Sequence, residues 1–253
     1  MHIKKMGQGP DLVMLHGWSM HSAVWHNLAE ELAKHFTLHL VDLPGHGQSN
    51  WQHGALDLDV LIGRLGEELP ESAYWLGWSL GGLISIVFAD RFPERVTKLT
   101  LIAATPCFVK TANWSCAMEA SVFNDFAANL SVNQAETLHR FLLLQARGSQ
   151  HSRDTIRQLA HQLAVEQPPV LDALQAGLKL LIELDMREPL STLSCPVQMI
   201  LGDRDTLIPE AMLLAAKQLH PKLQTRVLAG AGHAPFISQP LECQQAIEQF
   251  INE

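Results

Sequence analysis

Short apolar runs that alternate with amphipathic stretches constrain this chain more than any other feature. Leu12 to Leu15, Phe36 to Val41, Tyr74 to Trp78, Leu99 to Ala103, Val197 to Leu201 and Arg226 to Leu228 have the length and hydrophobicity of buried strands. Helical spacing lies between them, as in Val24 to Lys34 and Leu83 to Phe92. A strand buried on both faces needs helices above and below it. The pattern therefore predicts an α/β fold with a mostly parallel central sheet and helices on both faces.

From about Lys110 to Pro189 the helical spacing continues without a strand, for longer than an ordinary crossover connection allows. This predicts a core built from residues 1–109 and 190–253, with residues 110–189 inserted as a helical cap over the strand ends. At 253 residues the chain is near the size at which a single core stops growing, so no second fold is called for.

Charge and cysteine usage exclude several classes of function. Asp and Glu total 26 against 18 Lys and Arg, and a net charge of -8 disfavours nucleic acid as a partner. The stretch Met1 to Pro10 is followed by no apolar leader segment, and no apolar run is long enough to span a bilayer, so a cytoplasmic protein with no membrane partner is expected. Cys107, Cys116, Cys195 and Cys243 form no C-x-x-C pair, and the 13 histidines show no ligand spacing. Neither a disulfide framework nor a metal site is expected, most histidines should be surface or structural ones, and a monomer is expected.

Gly77-Trp78-Ser79-Leu80-Gly81 matches G-x-S-x-G, a pattern that is weak alone but gains force from its position. A strand precedes Ser79 and a helix follows it, which is the context a nucleophile elbow requires. A serine hydroxyl needs a base. In hydrolases of this kind the chain order is Ser, then Asp or Glu, then His, and His233, just after the last strand, fits it. Histidines 16, 21, 26, 35, 39, 46 and 53 precede Ser79; His139, His151 and His161 lie in the cap, and His220 precedes the last strand. The orienting acid should follow Val197 to Leu201, where Asp203 and Asp205 compete; a turn through Gly202 favours Asp205. Leu99 to Phe108 contains no carboxylate that could serve instead. Backbone N–H groups of Leu80 and of Trp18, in the loop His16-Gly17-Trp18, are the expected donors to a tetrahedral oxyanion. The loop Asp42 to Ser49 suggests no role beyond shaping the chain.

Leu15-His16-Gly17-Trp18, Asp42 to Ser49, Gly77 to Gly82, Gly202 to Asp205 and Gly232-His233 occur in an order that resembles the α/β-hydrolase superfamily over almost the whole chain. A narrower resemblance is to the carboxylesterases of biotin synthesis that cleave the methyl ester of pimeloyl-acyl carrier protein. It is carried by Phe36 to Gly45, Trp75 to Leu83, Pro93-Glu94-Arg95-Val96, Arg140-Phe141-Leu142 with Gln145, and His233 to Ser238. The resemblance implies nucleophile Ser79, acid Asp205, base His233, oxyanion amides of Trp18 and Leu80, and a substrate-lining segment Phe141, Leu142, Leu143, Leu144 and Gln145. It also implies methyl-ester hydrolysis through a serine acyl-enzyme, without a cofactor. Glu136 stands where relatives can be basic. Two rivals remain open: a general short-chain esterase or carbon-carbon bond hydrolase with the same triad, and a non-catalytic ligand receptor on the same scaffold.

Between Arg140 and His161 the only acidic residue is Asp154, against Arg140, Arg147, Arg153 and Arg157. If helical, each pair (140 with 147, 153 with 157) shares a face. An acyl carrier protein is acidic, so these arginines are the expected docking residues for a carrier bearing a pimeloyl methyl ester.

Overall fold

In the computed structural model, which describes all residues from Met1 to Glu253, a seven-stranded sheet has the order β1-β3-β2-β4-β5-β6-β7. Its strands are β1 (His2–Met6), β2 (Asp11–Leu15), β3 (Thr37–Asp42), β4 (Ala73–Trp78), β5 (Val96–Ile102), β6 (Val197–Gly202) and β7 (Gln224–Leu228). Every pairing is parallel except that of β1 with β3. Six strands fall on the apolar runs of the sequence. β1 is an addition that hydrophobicity could not reveal: it is an edge strand whose Lys4 and Lys5 are exposed, a common protection of an open edge.

The helices are α1 (His26–Leu32), α2 (Leu58–Glu68), α3 (Leu80–Arg91), α4 (Ala120–Leu130), α5 (Gln134–Ala146), α6 (Ser152–Val165), α7 (Leu171–Glu183), α8 (Arg187–Thr192), α9 (Ala211–Leu219), α10 (Pro235–Ser238) and α11 (Pro240–Asn252). α3 departs from the amphipathic reading of its sequence: every residue from Leu80 to Ala89 is buried. It packs against β4 and β5 on one side and α7 and α8 on the other, and a helix enclosed in this way must be apolar all round.

Five helices, α4 to α8, lie between β5 and β6. The helical expectation is corrected for their approach: residues 110–119 are loop, stitched by isolated bridges between Val109 and Met118 and between Thr111 and Trp114. α4 packs on α5 and α7, α5 on α6, and α7 on α3. α6 also reaches α10, just beyond His233. These helices therefore lie against the loops at the carboxyl ends of the strands, where parallel sheets carry their sites. No helix is long and apolar enough to cross a membrane.

Candidate active site

Ser79 follows the last residue of β4 and precedes the first of α3, at φ +54° and ψ -116°. A non-glycine residue in this region costs on the order of 1–3 kcal/mol and persists only where its surroundings over-determine it. The Ser79 N–H donates to the Ile102 carbonyl at 3.0 Å, and the Ser79 carbonyl accepts from Leu83 at 3.1 Å. Close approach of strand and helix needs glycine on both sides: a Cβ at Gly77 would stand 2.5 Å from the Gly81 carbonyl oxygen, and one at Gly81 2.3 Å from that of Leu15.

The imidazole of His233 joins two sequence-distant residues. Its Nε2 lies 3.0 Å from Ser79 Oγ and its Nδ1 2.8 Å from Asp205 Oδ2. An ionised carboxylate only accepts, so Nδ1–H donates to Asp205 and Nε2 is left to accept the serine proton. The second oxygen of Asp205 accepts from the Leu207 N–H at 2.8 Å and the Ile208 N–H at 3.1 Å, which fixes the carboxylate plane. Asp203 is elsewhere: its Oδ1 accepts from the Gly230 N–H at 2.7 Å and ties the β6 loop to the β7 loop. Ser79, Asp205 and His233 are all buried.

Two amides complete the arrangement. Leu80 is the first residue of α3, so its N–H is among the donors that a helix leaves unpaired. The Trp18 N–H donates to no backbone carbonyl, and its indole donates to the Leu174 carbonyl of α7 at 2.8 Å. Beneath this loop lies a buried polar group that sequence reasoning missed. His16 accepts from the Leu43 N–H at Nε2 (3.0 Å), so its Nδ1–H donates to the Gly17 carbonyl (2.9 Å) and the ring is neutral. Burial, with His46 beside it, lowers its pKa to about 3; burial likewise lowers that of His46 to about 4. Burial opposes the Asp42 charge, but His16 and the backbone N–H groups of Gln48 (3.0 Å) and Ser22 (2.7 Å) outweigh it and hold the carboxyl below its usual range. Asp42 thus organises the loop from Asp42 to Ser49, and His16, His21, His39, His46 and His220 are all buried. The signal was present as His16, His21, Asp42 and His46 within one short region, but only the fold brings them into one cluster.

The cavity at Ser79 is lined by twelve residues, ten of them hydrophobic, and encloses only about 20 Å³. Trp18, Phe126 and Phe141 form an edge-to-face trio in its wall, with ring centroids 4.8 to 6.5 Å apart. Of the segment Phe141 to Gln145, only Phe141 lines this cavity. The correction follows from helical periodicity, since five consecutive residues cannot face one way. Leu142 points to a separate groove between α5 and α6, Leu143 and Leu144 border an outer groove, and the Gln145 side chain is buried with neither amide atom partnered. Cavity residues from α4 and α7, among them Val122, Phe123, Phe126, Leu178 and Leu181, had no signature beyond apolar spacing.

The outer groove, of about 670 Å³, is bordered by Arg140, Arg147, Leu143, Leu144 and Asp125, and it shares Val122 and Phe126 with the cavity at Ser79. Arg153 and Arg157 are exposed on α6, where Arg157 is paired with Asp154 at 3.0 Å. The four cysteines are free thiols, and no cluster of side chains with metal-ligand character is present.

Fold and site together define a hydrolase class, and the chain belongs to the α/β-hydrolase fold family, whose model matches residues 10–240. Among curated relatives, a pimeloyl-[acyl-carrier protein] methyl ester esterase of Aeromonas salmonicida is 42% identical over 250 residues, covering 98% of each chain. One of the same name from Xylella fastidiosa is 44% identical over 253 residues, covering 99% of this chain and 98% of its own. Solved structures share the fold: an esterase from Exiguobacterium antarcticum superposes with a TM-score of 0.90 at 18% identity, covering 100% of this chain and 95% of its own. An enol-lactonase from Burkholderia xenovorans does so at 0.87 and 20% identity, covering 100% and 96%.

Proposed function

We propose that this chain is a serine carboxylesterase that hydrolyses the methyl ester of pimeloyl-acyl carrier protein in the cytoplasm, as a step of biotin synthesis. The observation that carries the chemistry is the hydrogen-bonded line Ser79–His233–Asp205 at the mouth of an apolar cavity. The substrate rests on the full-length relatives of that name.

His233 Nε2 takes the proton as Ser79 Oγ attacks the ester carbonyl carbon. The tetrahedral oxyanion is met by the amides of Trp18 and Leu80. Asp205 fixes the tautomer of the neutral imidazole and then stabilises the imidazolium, whose Nε2–H returns the proton to the departing methoxide, which leaves as methanol. Water, deprotonated by His233, then cleaves the acyl-enzyme to free the carboxylate and restore Ser79.

The enclosed space is far below the roughly 300–1,000 Å³ of a working ligand pocket. A tethered chain therefore reaches Ser79 only after the cap yields. The route lies from the arginine-bordered outer groove past Val122 and Phe126, which border both spaces. Residues 110–189 act as the cap over core residues 1–109 and 190–253, with Arg140, Arg147, Arg153 and Arg157 facing the acidic carrier.

The test is incubation of the pure protein with pimeloyl-acyl carrier protein methyl ester, with intact-mass detection of methyl loss and Ser79→Ala as the blank. Rapid loss that the blank lacks supports the assignment. Efficient turnover of short p-nitrophenyl esters with the carrier ester left intact would instead support the general-esterase reading.

A further inference from the structure

We infer that Trp78 is a positioning residue, whose indole N–H sets where the imidazole of His233 stands relative to Ser79. The inference rests on the assignment of Ser79 and His233 as nucleophile and base.

His233 lies in the loop between β7 and α10, where no ladder pairs its backbone. Both of its main-chain polar groups are nevertheless held from outside the loop. Its N–H donates to the Gln145 carbonyl of α5 at 3.0 Å, and its carbonyl accepts from Trp78 Nε1 at 2.7 Å. Trp78 is itself fixed, because it is fully buried, ends β4 and pairs in register with Ile102 of β5. The next residue in the chain is Ser79. Neighbouring residues thus reach the same histidine, Trp78 through its backbone carbonyl and Ser79 through its ring nitrogen at 3.0 Å. The result is a closed ring of covalent and hydrogen bonds that sets the distance between nucleophile and base.

Tryptophan suits this place for two reasons. Its N–H is a donor with no acceptor function, so it cannot reverse the bond. Its ring body also packs edge-on against both Trp25 and Phe236, at centroid distances of 6.3 and 5.1 Å. The oxyanion loop closes on the same indole, since a Cβ at Gly17 would stand 2.9 Å from Trp78 Cε3. One side chain therefore touches the segments that carry the oxyanion donor and the base while its backbone leads into the nucleophile.

The molecule supplies its own control. Trp25 is equally buried in the same aromatic cluster, yet its Nε1 has no hydrogen-bond partner. Replacing either tryptophan by Phe removes similar packing, but only Trp78→Phe removes the bond to His233. Position 78 should also be filled with 3-benzothienylalanine, an isostere that has sulfur in place of the N–H, so that the bond is lost with the ring shape kept. The measurements are the rate of Ser79 phosphonylation by a fluorophosphonate, kcat and KM on p-nitrophenyl butyrate, and the thermal midpoint.

Both changes at position 78 should slow phosphonylation and kcat on the order of 10- to 100-fold, as expected for an ångström-scale misplacement, with KM held within about twofold. Trp25→Phe should stay near the unaltered rates even where its midpoint falls as far as that of Trp78→Phe. An isostere at position 78 with unaltered rates, or an equal slowing by Trp25→Phe, overturns the inference. Labelling of a serine other than Ser79 in the unaltered protein would instead remove the catalytic assignment, and this inference with it.

Discussion

Ser79 and Asp205 owe their proposed roles to backbone placement as much as to side-chain chemistry. The positive φ of Ser79 lifts its hydroxyl out of the strand and toward His233, and Asp205 is oriented by two amides before it meets the imidazole. Ser79→Ala should lower kcat by at least about 1,000-fold while the thermal midpoint stays put or rises, since the buried hydroxyl is replaced by a smaller group in a strained position. Asp205→Asn should cost on the order of 1,000- to 10,000-fold in kcat by favouring the wrong tautomer. Asp203→Asn should instead act on stability through the Gly230 tie, with kcat changed little. Steady-state kinetics beside thermal melts separate the two aspartates, and reversed effects would exchange their roles.

At the scale of elements, α4 is the wall between the cavity at Ser79 and the outer groove, whereas the end of α5 is tied to the catalytic loops. Gln145 accepts from His233, and the Gln150 N–H donates to the Gly230 carbonyl at 2.9 Å. An opening that moved the end of α5 would break the support of the base, so movement should be concentrated in α4. Phe126→Ala should accordingly raise kcat/KM for medium-chain p-nitrophenyl esters several-fold relative to the acetate; an unchanged chain-length profile would place the entrance elsewhere. α6 bears on the partner. Charge reversal of Arg153 and Arg157 to Glu should raise KM for the carrier-bound ester, more at low salt, and leave small esters unaffected. Arg157 is already paired with Asp154, so Arg153→Glu alone should account for the larger share.

Across the whole molecule, the buried histidines tie stability to pH. His16 and His46 stay neutral in the folded protein down to about pH 3 and 4, while in the unfolded chain they take up protons near pH 6.5. The unfolded state therefore binds more protons through this window, and stability is fully present above pH 6.5 and declines as pH falls. Each histidine contributes a slope of about 1.4 kcal/mol per pH unit. Asp42 adds to acid loss at lower pH, because its depressed carboxyl must be protonated there. Urea midpoints measured between pH 7 and 4 should fall steadily, and His46→Gln should flatten the slope by about one histidine's share. An unchanged slope in that variant would show that His46 does not contribute.

The sequence by itself determined the mostly parallel sheet, and it marked Ser79, Asp205 and His233, in that chain order, as the proposed triad. Buried strands must be apolar, an elbow must be flanked by small residues, and each of these demands falls on a few consecutive positions. It could not reveal β1, whose edge position tolerates lysines, nor the apolar all-round burial of α3, which depends on what covers it. Tertiary structure alone decided the rest. Trp78 and Trp25 are alike as residues, yet one indole meets the His233 carbonyl and the other meets nothing. Phe126 and Phe141 become one wall only because α4 and α5 pack together, and His16, Asp42 and His46 form one cluster only because β2 and β3 lie side by side. Contacts of this kind join positions far apart in the chain through single atoms, and no local pattern of hydrophobicity or spacing encodes them.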